Sequence, residues 1–119
     1  MILTQSLRVC LAVDPCDMRK GFNGLATLVA NHLKEDATSG KLFVFTNRSR
    51  NMVKMLYWDG SGLWILAKRL ERGRFNWPRG VENSDRKLTI RPEALEMLLC
   101  GIDLKVGSRR NWFELPVPA

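Results

Sequence analysis

The stretch LFVFTNRSRNMVKMLYWDGSGLWILAKRL, residues 42–70, decides the fold of this 119-residue chain. It contains an apolar run, Leu42–Phe45, a second run, Met52–Trp58, that is interrupted by Lys54, and a third, Leu63–Leu70, that becomes basic at its end. A polar segment separates the first two runs, and Asp59-Gly60-Ser61-Gly62 separates the second from the third. Glycines accept the positive φ of a tight turn, so this pattern predicts consecutive strands joined by hairpins.

The residues before this stretch predict a strand followed by a helix. Leu7–Val13 alternates apolar residues with others, the period typical of a half-buried strand, and the proline two residues later should end it. Apolar residues then recur at intervals of three and four, which predicts an amphipathic helix over about Met18–Lys34. Asp17 is the expected N-cap, whereas Gly21 and Gly24 weaken this helix by roughly 1 kcal/mol each relative to Ala.

The residues after the stretch are less regular. Phe75–Pro78 is expected to form a short strand or to continue the preceding one, and residues 79–86 a loop. Leu88–Arg91 fits either a short strand or a lead-in to a second helix over about Pro92–Cys100. Pro92 suits the first position of this helix, and Gly101 with Ile102 suits a cap at its carboxyl-terminal end.

The predicted order of elements is β-α-β-β-β-(β)-α. Strands joined by hairpins, together with two helices, predict a single α+β domain over residues 1–119. Its sheet should be mainly antiparallel, with about four to five strands. The segments 1–6 and 105–119 are expected to be loose ends.

The charge of the chain is concentrated in its middle. Nineteen basic residues exceed twelve acidic ones, which leaves a formal net charge of +7. Nine of the basic residues but only two of the acidic ones lie between Lys41 and Arg79, and the rest of the chain is neutral. A local cationic excess attracts polyanions such as nucleic acid; the alternative interpretation is a surface that only keeps the protein in solution.

Residues suited to catalysis are scarce. His32 is the one histidine, which excludes multi-histidine zinc sites, and it lies beside the apolar stripe of the predicted helix. Asp14 and Asp17 could hold Mg²⁺, although a turn and a helix N-cap account for both. With Asp59 they make a metal-dependent nuclease the lowest-ranked possibility. No phosphate-binding or zinc-protease motif occurs, so we predict no enzyme activity, no catalytic or metal-binding residue and no cofactor.

The sequence also predicts a cytoplasmic location. Three cysteines, Cys10, Cys16 and Cys100, leave one unpaired in any disulfide scheme, which favours a reducing compartment. The first residues lack the features of a signal peptide, and no apolar run approaches the ~18 residues of a membrane helix. We therefore expect no membrane partner.

Cations and aromatic side chains alternate between residues 54 and 79. Lys and Arg neutralise phosphates, and aromatic rings stack on unpaired bases. Tyr57, Trp58 and Trp64 flank the hairpin turn, where cross-strand aromatic pairs stabilise a sheet, so we assign those three to packing. Trp77 remains a weaker candidate for contact with DNA.

Several segments together resemble a known family. They are Asp17–Leu25 (DMRKGFNGL), Leu42–Phe45 (LFVF), Tyr57–Trp64 (YWDGSGLW), Lys68–Phe75 (KRLERGRF) with Trp77-Pro78, and Leu98–Asp103 (LLCGID). In this order they resemble the TnpB-type accessory protein of insertion-sequence family sixty-six, over roughly Leu7–Asp103. The resemblance implies a small bacterial protein encoded beside a separate DDE transposase, needed for transposition and without an established catalytic site. This family is distinct from the RNA-guided nucleases that share the TnpB label.

Charge and motif coincide at Lys68–Arg74. The leading hypothesis is a non-catalytic accessory protein of DNA transposition that binds nucleic acid there, with further cations at the positive end of the first helix. The predicted binding residues are Lys68, Arg69, Arg72, Arg74, Arg79, Lys54, Arg19, Lys20 and Trp77. The expected partners are DNA, in particular transposon ends, the family transposase and other element-encoded protein. The alternative is an adaptor that docks on the transposase without contacting DNA itself.

Overall fold

A computed structural model describes residues 6–79 and 86–101. In this part of the chain, the strands and helices follow one another in the predicted order. They are β1 (Val9–Ala12), α1 (Phe22–Asn31), β2 (Leu42–Thr46), β3 (Met52–Trp58), β4 (Leu63–Arg69), β5 (Lys87–Ile90) and α2 (Pro92–Leu99). The five strands form one mostly antiparallel sheet, so the predicted α+β class is confirmed. Apart from Ser6, the two ends that we expected to be loose lie outside the described residues.

The strand order of the sheet is β4-β3-β2-β1-β5. β1 and β2 run parallel because the chain between them crosses over as α1, whereas β2–β3 and β3–β4 are antiparallel hairpins. β5 is antiparallel to β1. As a result, β1, β2 and β4 end, and β3 and β5 begin, at the same end of the sheet, which we call its carboxyl end.

The two helices cover opposite faces of the sheet. The face that packs against α1 is lined by the buried strand residues Cys10, Ala12, Phe43, Phe45 and Leu56. The face that packs against α2 is lined by Val9, Leu11, Leu42, Val44, Val53, Met55 and Ile90. Successive strand residues point to opposite faces of the sheet. Because both faces of β1 and β2 are covered by a core, every residue of these two strands is buried.

The first helix begins at Phe22, four residues later than predicted, and Asp17 is not its N-cap. The Asp17 carboxylate instead accepts the backbone N–H of Arg19 at 2.8 Å, and the Asp17 carbonyl accepts that of Lys20 at 3.2 Å. These bonds close a separate turn before the helix. Gly21 then occupies the N-cap position in an extended conformation, with no side-chain hydrogen bond to the first turn.

The other boundaries differ less from the prediction. α1 ends at Asn31, and α2 begins at Pro92 as predicted and ends at Leu99. Of the two alternatives for the segment before α2, the strand is confirmed as β5. Gly101 has a left-handed φ of 87°, as a C-terminal cap requires, while its expected companion Ile102 lies outside the described residues. Neither helix among the described residues has the length and apolarity needed to cross a membrane.

Phe75–Pro78 is not a strand, contrary to the prediction. Phe75 and Trp77 are only 2% and 3% exposed, and both belong to the core beneath α2. The indole N–H of Trp77 donates to the carbonyl of Ala12 at 2.9 Å. The apolar side chains of this segment therefore fill the core, although its backbone pairs with no strand.

Candidate nucleic-acid interface

Three segments of the chain meet at the carboxyl end of the sheet through backbone hydrogen bonds. The N–H of Leu70 donates to the carbonyl of Asn51 at 2.8 Å, and the N–H of Cys16 donates to the carbonyl of Thr46 at 2.8 Å. The loop after β1, the turn between β2 and β3 and the loop after β4 are therefore neighbours. Each of the three segments carries basic residues, so cations that are far apart in the sequence are brought to the same end of the sheet.

Lys54 connects β3 to the residues that precede α1. Its Nζ donates to the carbonyl of Lys20 at 3.0 Å. Lys20 in turn packs over Gly24, since a Cβ added at Gly24 would lie 3.0 Å from the Cβ of Lys20. The missing side chain permits this close approach, which explains why a residue that weakens a helix stands in α1. Two lysines thus lie together at the amino-terminal end of the helix.

Arg69 extends this group from the edge strand β4. Met52 is opposite Arg69 and Lys54 is opposite Ala67, so Arg69 and Lys54 are diagonal neighbours on the α1 side of the sheet. The Arg69 side chain is 68% exposed, and its ion pair with Glu71 is long, at 3.5 Å. A surface pair of this kind is weak, so the guanidinium remains available to an anion.

Arg19 is exposed and is oriented by Asp17. Its Nε and Nη2 donate to the carboxylate oxygens at 3.1 and 2.7 Å. The side-chain hydrogen bond from Arg19 is the main reason why the pKa of Asp17 is lowered to about 2, so Asp17 is ionised at neutral pH. The pair fixes the direction of the guanidinium but offsets part of its charge.

Arg72 and Arg74 lie exposed in the loop that follows β4. Gly73 between them adopts a left-handed φ of 75°, which an L-residue with a side chain rarely accepts. The N–H of Phe75 donates to the carbonyl of Arg50 at 2.7 Å and so ties this loop to the turn between β2 and β3. Neither Arg72 nor Arg74 has a hydrogen bond or ion pair with another residue in 6–79 or 86–101.

Lys68 lies away from these residues, although it precedes Arg69 in the sequence. Leu66 and Leu70, two positions to either side, pack into the core beneath α2, so Lys68 projects from that face and Arg69 from the other. The Nζ of Lys68 donates to the carbonyl of Leu99 at 2.7 Å. A cation at the last turn of a helix is stabilised by the helix dipole, so Lys68 has a structural partner.

Two more of the predicted residues are left out of the group, for different reasons. Trp77 is buried and presents no free ring face to a base, so we leave it out of the interface. Arg79 is exposed, but no hydrogen bond or ion pair within the described parts of the chain ties it to the three segments at the carboxyl end. Conversely, Arg48 and Arg50 were not among the predicted residues, and the pairing of β3 with both neighbours places their turn beside the loop after β4.

Comparison with known proteins identifies the family. Residues 7–109 match the family described as IS66 Orf2-like protein. The chain belongs to this family. Two uncharacterized proteins of Sinorhizobium fredii are similar to it: y4hO is 42% identical over 99 residues (83% of this chain, 84% of y4hO), and y4jC is 37% identical over 100 residues (84% and 83%). No solved structure gives a significant match. The family resemblance is thus confirmed, and it indicates an accessory role in transposition.

The carboxylates of this IS66 Orf2-like protein that we considered for a nuclease have local partners. Asp14 lies 3.1 Å from Nε2 of His32, and Nη1 of Arg86 lies 3.1 Å from Nδ1 of the same ring. Asp17 is paired with Arg19, as described above. Across residues 6–79 and 86–101, no group of three or more His, Cys, Asp or Glu side chains could hold a metal ion.

Asp59 organises the β3–β4 hairpin of this protein. Its carboxylate accepts the indole N–H of Trp64 at 2.7 Å and the backbone N–H groups of Ser61 and Gly62 at 2.8 and 3.0 Å. These bonds, the one from Trp64 foremost, lower the pKa of Asp59. Trp64 is opposite Tyr57 yet 57% exposed, so the packing that we assigned to it from the sequence covers only part of the ring.

Proposed function

We propose that this protein is a non-catalytic accessory factor of transposition that binds DNA through a basic cluster at the carboxyl end of its sheet. The basic cluster consists of Arg19, Lys20, Lys54, Arg69, Arg72 and Arg74. One observation carries the proposal: cations from three distant segments converge there, whereas the acidic partners among the described residues are Asp17 and Glu71 alone. Family membership supplies the context in which the polyanion is DNA, with transposon ends as the target.

The amino-terminal end of α1 supports the same function. Its first turn contains no acidic residue, and Gly21 leaves the first N–H groups without a side-chain cap. These groups and the helix dipole add a positive field beside Lys20 and Lys54. Phe22, in the same turn, is 51% exposed and offers an aromatic face of the kind that stacks on unpaired bases.

A second candidate function is docking on the family transposase, or on another element-encoded protein, without contact to DNA. The exposed ring of Phe22 beside several cations favours it, because aromatic and Arg side chains are typical anchors of protein interfaces. A pull-down with purified transposase after nuclease digestion separates the two functions. Retention without nucleic acid supports docking, whereas loss of the complex supports binding through DNA.

Charge-matched variants test the DNA-binding proposal. The change Arg72→Glu with Arg74→Glu lowers the net charge as much as Lys34→Glu with Arg91→Glu, two exposed cations outside the cluster. We expect the first pair to remove most of the affinity for transposon-end DNA and the second to reduce it only slightly. Equal losses in both variants, or an affinity that does not depend on salt concentration, would contradict the proposal.

A further inference from the structure

The edge strand β4 is long and regular, and five of its seven residues carry no charge. Its register with β3 runs one to one over seven residue pairs, from Met52 opposite Arg69 to Trp58 opposite Leu63, without a bulge. It contains no proline, and its two cations, Lys68 and Arg69, stand together at one end. Edge strands that must not pair with another chain are usually short, bulged, or interrupted by proline or charge. β4 has the features of a strand that does pair.

The hairpin hydrogen bonds show which backbone groups of β4 face outward. The N–H of Leu70 donates to Asn51, and the carbonyl of Gly62 accepts the N–H of Asp59, so the even-numbered positions bond to β3. The bonding direction alternates along an antiparallel strand, so the odd-numbered positions face away from β3. These are Leu63, Ile65, Ala67 and Arg69. Within residues 6–79 and 86–101, their outward N–H and C=O groups have no backbone partner.

We propose that this edge pairs with the same edge of a second copy of the chain, antiparallel and centred on Leu66. In that register Ile65 is opposite the partner's Ala67, and Leu63 is opposite the partner's Arg69. Each outward N–H and C=O of β4 then has a hydrogen-bonding partner, because outward positions meet outward positions. The two sheets become one continuous sheet, and both copies present α1 on the same face.

Charge complementarity favours a second copy in this orientation. The cations of β4 lie at its carboxyl end and the Asp59 carboxylate lies at the turn before its other end. Antiparallel pairing therefore brings the cationic end of each β4 beside the partner's hairpin turn, where the Asp59 carboxylate and the exposed ring of Trp64 lie. Lys68 is then opposite the partner's Trp64 and is attracted by both groups while its Nζ still donates to the carbonyl of Leu99. The cations of the two copies are kept four residues apart along the strands, whereas parallel pairing would place them side by side.

Light scattering of a proline variant tests the pairing. Ala67→Pro removes one outward N–H and none of the bonds to β3, and Ala67→Thr, which keeps the N–H, is the matched control. We expect the wild type and the control to have twice the chain mass of 13.6 kDa. The proline variant, checked for folding by circular dichroism, should dissociate at least about tenfold more readily. A wild type that stays monomeric, or a folded proline variant that dimerises like the wild type, overturns the proposal.

Disulfide crosslinking tests the register even where the proline variant does not fold. Leu66 would face its own copy in a non-hydrogen-bonded pair with Cα atoms about 4.5 Å apart, close enough for a disulfide. In a Cys100→Ser background, which removes the exposed cysteine, Leu66→Cys should crosslink on mild oxidation. Trp64→Cys should not, because its two copies lie four residues apart along the paired strands. Crosslinking at neither position, or equally at both, overturns the register.

Discussion

At the scale of single residues, burial decides which predicted side chains can reach a ligand. Arg69 and Trp77 belong to the same sequence motif, yet Arg69 is largely exposed and Trp77 lies in the core. The local sequence does not show whether the Trp77 ring is buried or exposed. The hydrogen bond that holds the ring in the core joins it to Ala12, 65 positions earlier. A contact over that distance leaves no local signal, so the role of Trp77 could not be predicted from the sequence.

The core position of Trp77 leads to a prediction for Trp77→Phe. The Ala12 carbonyl loses its donor and a small cavity forms, so the free energy of unfolding should fall by about 1–3 kcal/mol. Urea denaturation measures this loss. The salt dependence of DNA binding should stay as in the wild type. Unchanged stability with weakened DNA binding would show that the ring acts at the interface instead.

The Asp17–Arg19 pair predicts a specific pH dependence. The pKa of Asp17 is about 2 in the folded protein, below the ~3.9 of an unfolded chain, so the ionised group stabilises the fold above pH ~4. This stabilisation is lost as the pH falls from about 4 to about 2. Asp17→Asn should therefore lose less stability than the wild type over that window, as measured by urea denaturation at each pH.

The same variant should bind DNA slightly more tightly at neutral pH, because it frees Arg19 from its acidic partner. Identical acid sensitivity in the wild type and Asp17→Asn would show that the pair does not contribute to folding.

At the scale of elements, the strands and hairpins of residues 42–70 were predictable, whereas the start of α1 and the conformation of Phe75–Pro78 were not. The hairpins within residues 42–70 form from neighbouring segments with a clear turn between them, so local pattern suffices. The local sequence of Asp17–Lys20 is compatible both with the predicted first turn of the helix and with a separate turn that Asp17 closes. The turn is formed instead, and the carbonyl of Lys20 accepts Lys54 from β3, a contact that the local pattern does not contain.

The uncapped start of α1 predicts opposite effects of one substitution on stability and binding. Gly21→Asp supplies a capping carboxylate where no atom lies within 4 Å of an added Cβ, and should stabilise the helix by a few tenths of a kcal/mol. It also places a negative charge beside Lys20 and should weaken DNA binding several-fold.

Gly21→Ser is the matched control, since it caps the helix without adding charge. It should share the gain in thermal stability and keep the affinity of the wild type. If both variants bind DNA equally well, the amino-terminal end of α1 is not part of the interface.

At the scale of the whole molecule, the sequence predicts how much charge the protein carries but not how it is divided between the two faces. Counting placed the whole excess between Lys41 and Arg79. The parallel pairing of β1 with β2 then brings Arg19 and Lys20 to the same end, which no count could show. The alternation of β4 separates Lys68 from Arg69, so the densest basic segment of the sequence is not one surface.

The central claim, that DNA binds through the basic cluster at the carboxyl end of the sheet, is tested most directly by comparing Arg69→Ala, within the cluster, with Lys68→Ala, outside it. The measurement is the slope of log affinity against log salt concentration for transposon-end DNA. We predict that Arg69→Ala lowers the magnitude of this slope by about one, the loss of one phosphate contact, and that Lys68→Ala leaves it unchanged while weakening the attachment of α2. Equal reductions for both variants, or a reduction for Lys68→Ala alone, would contradict the claim.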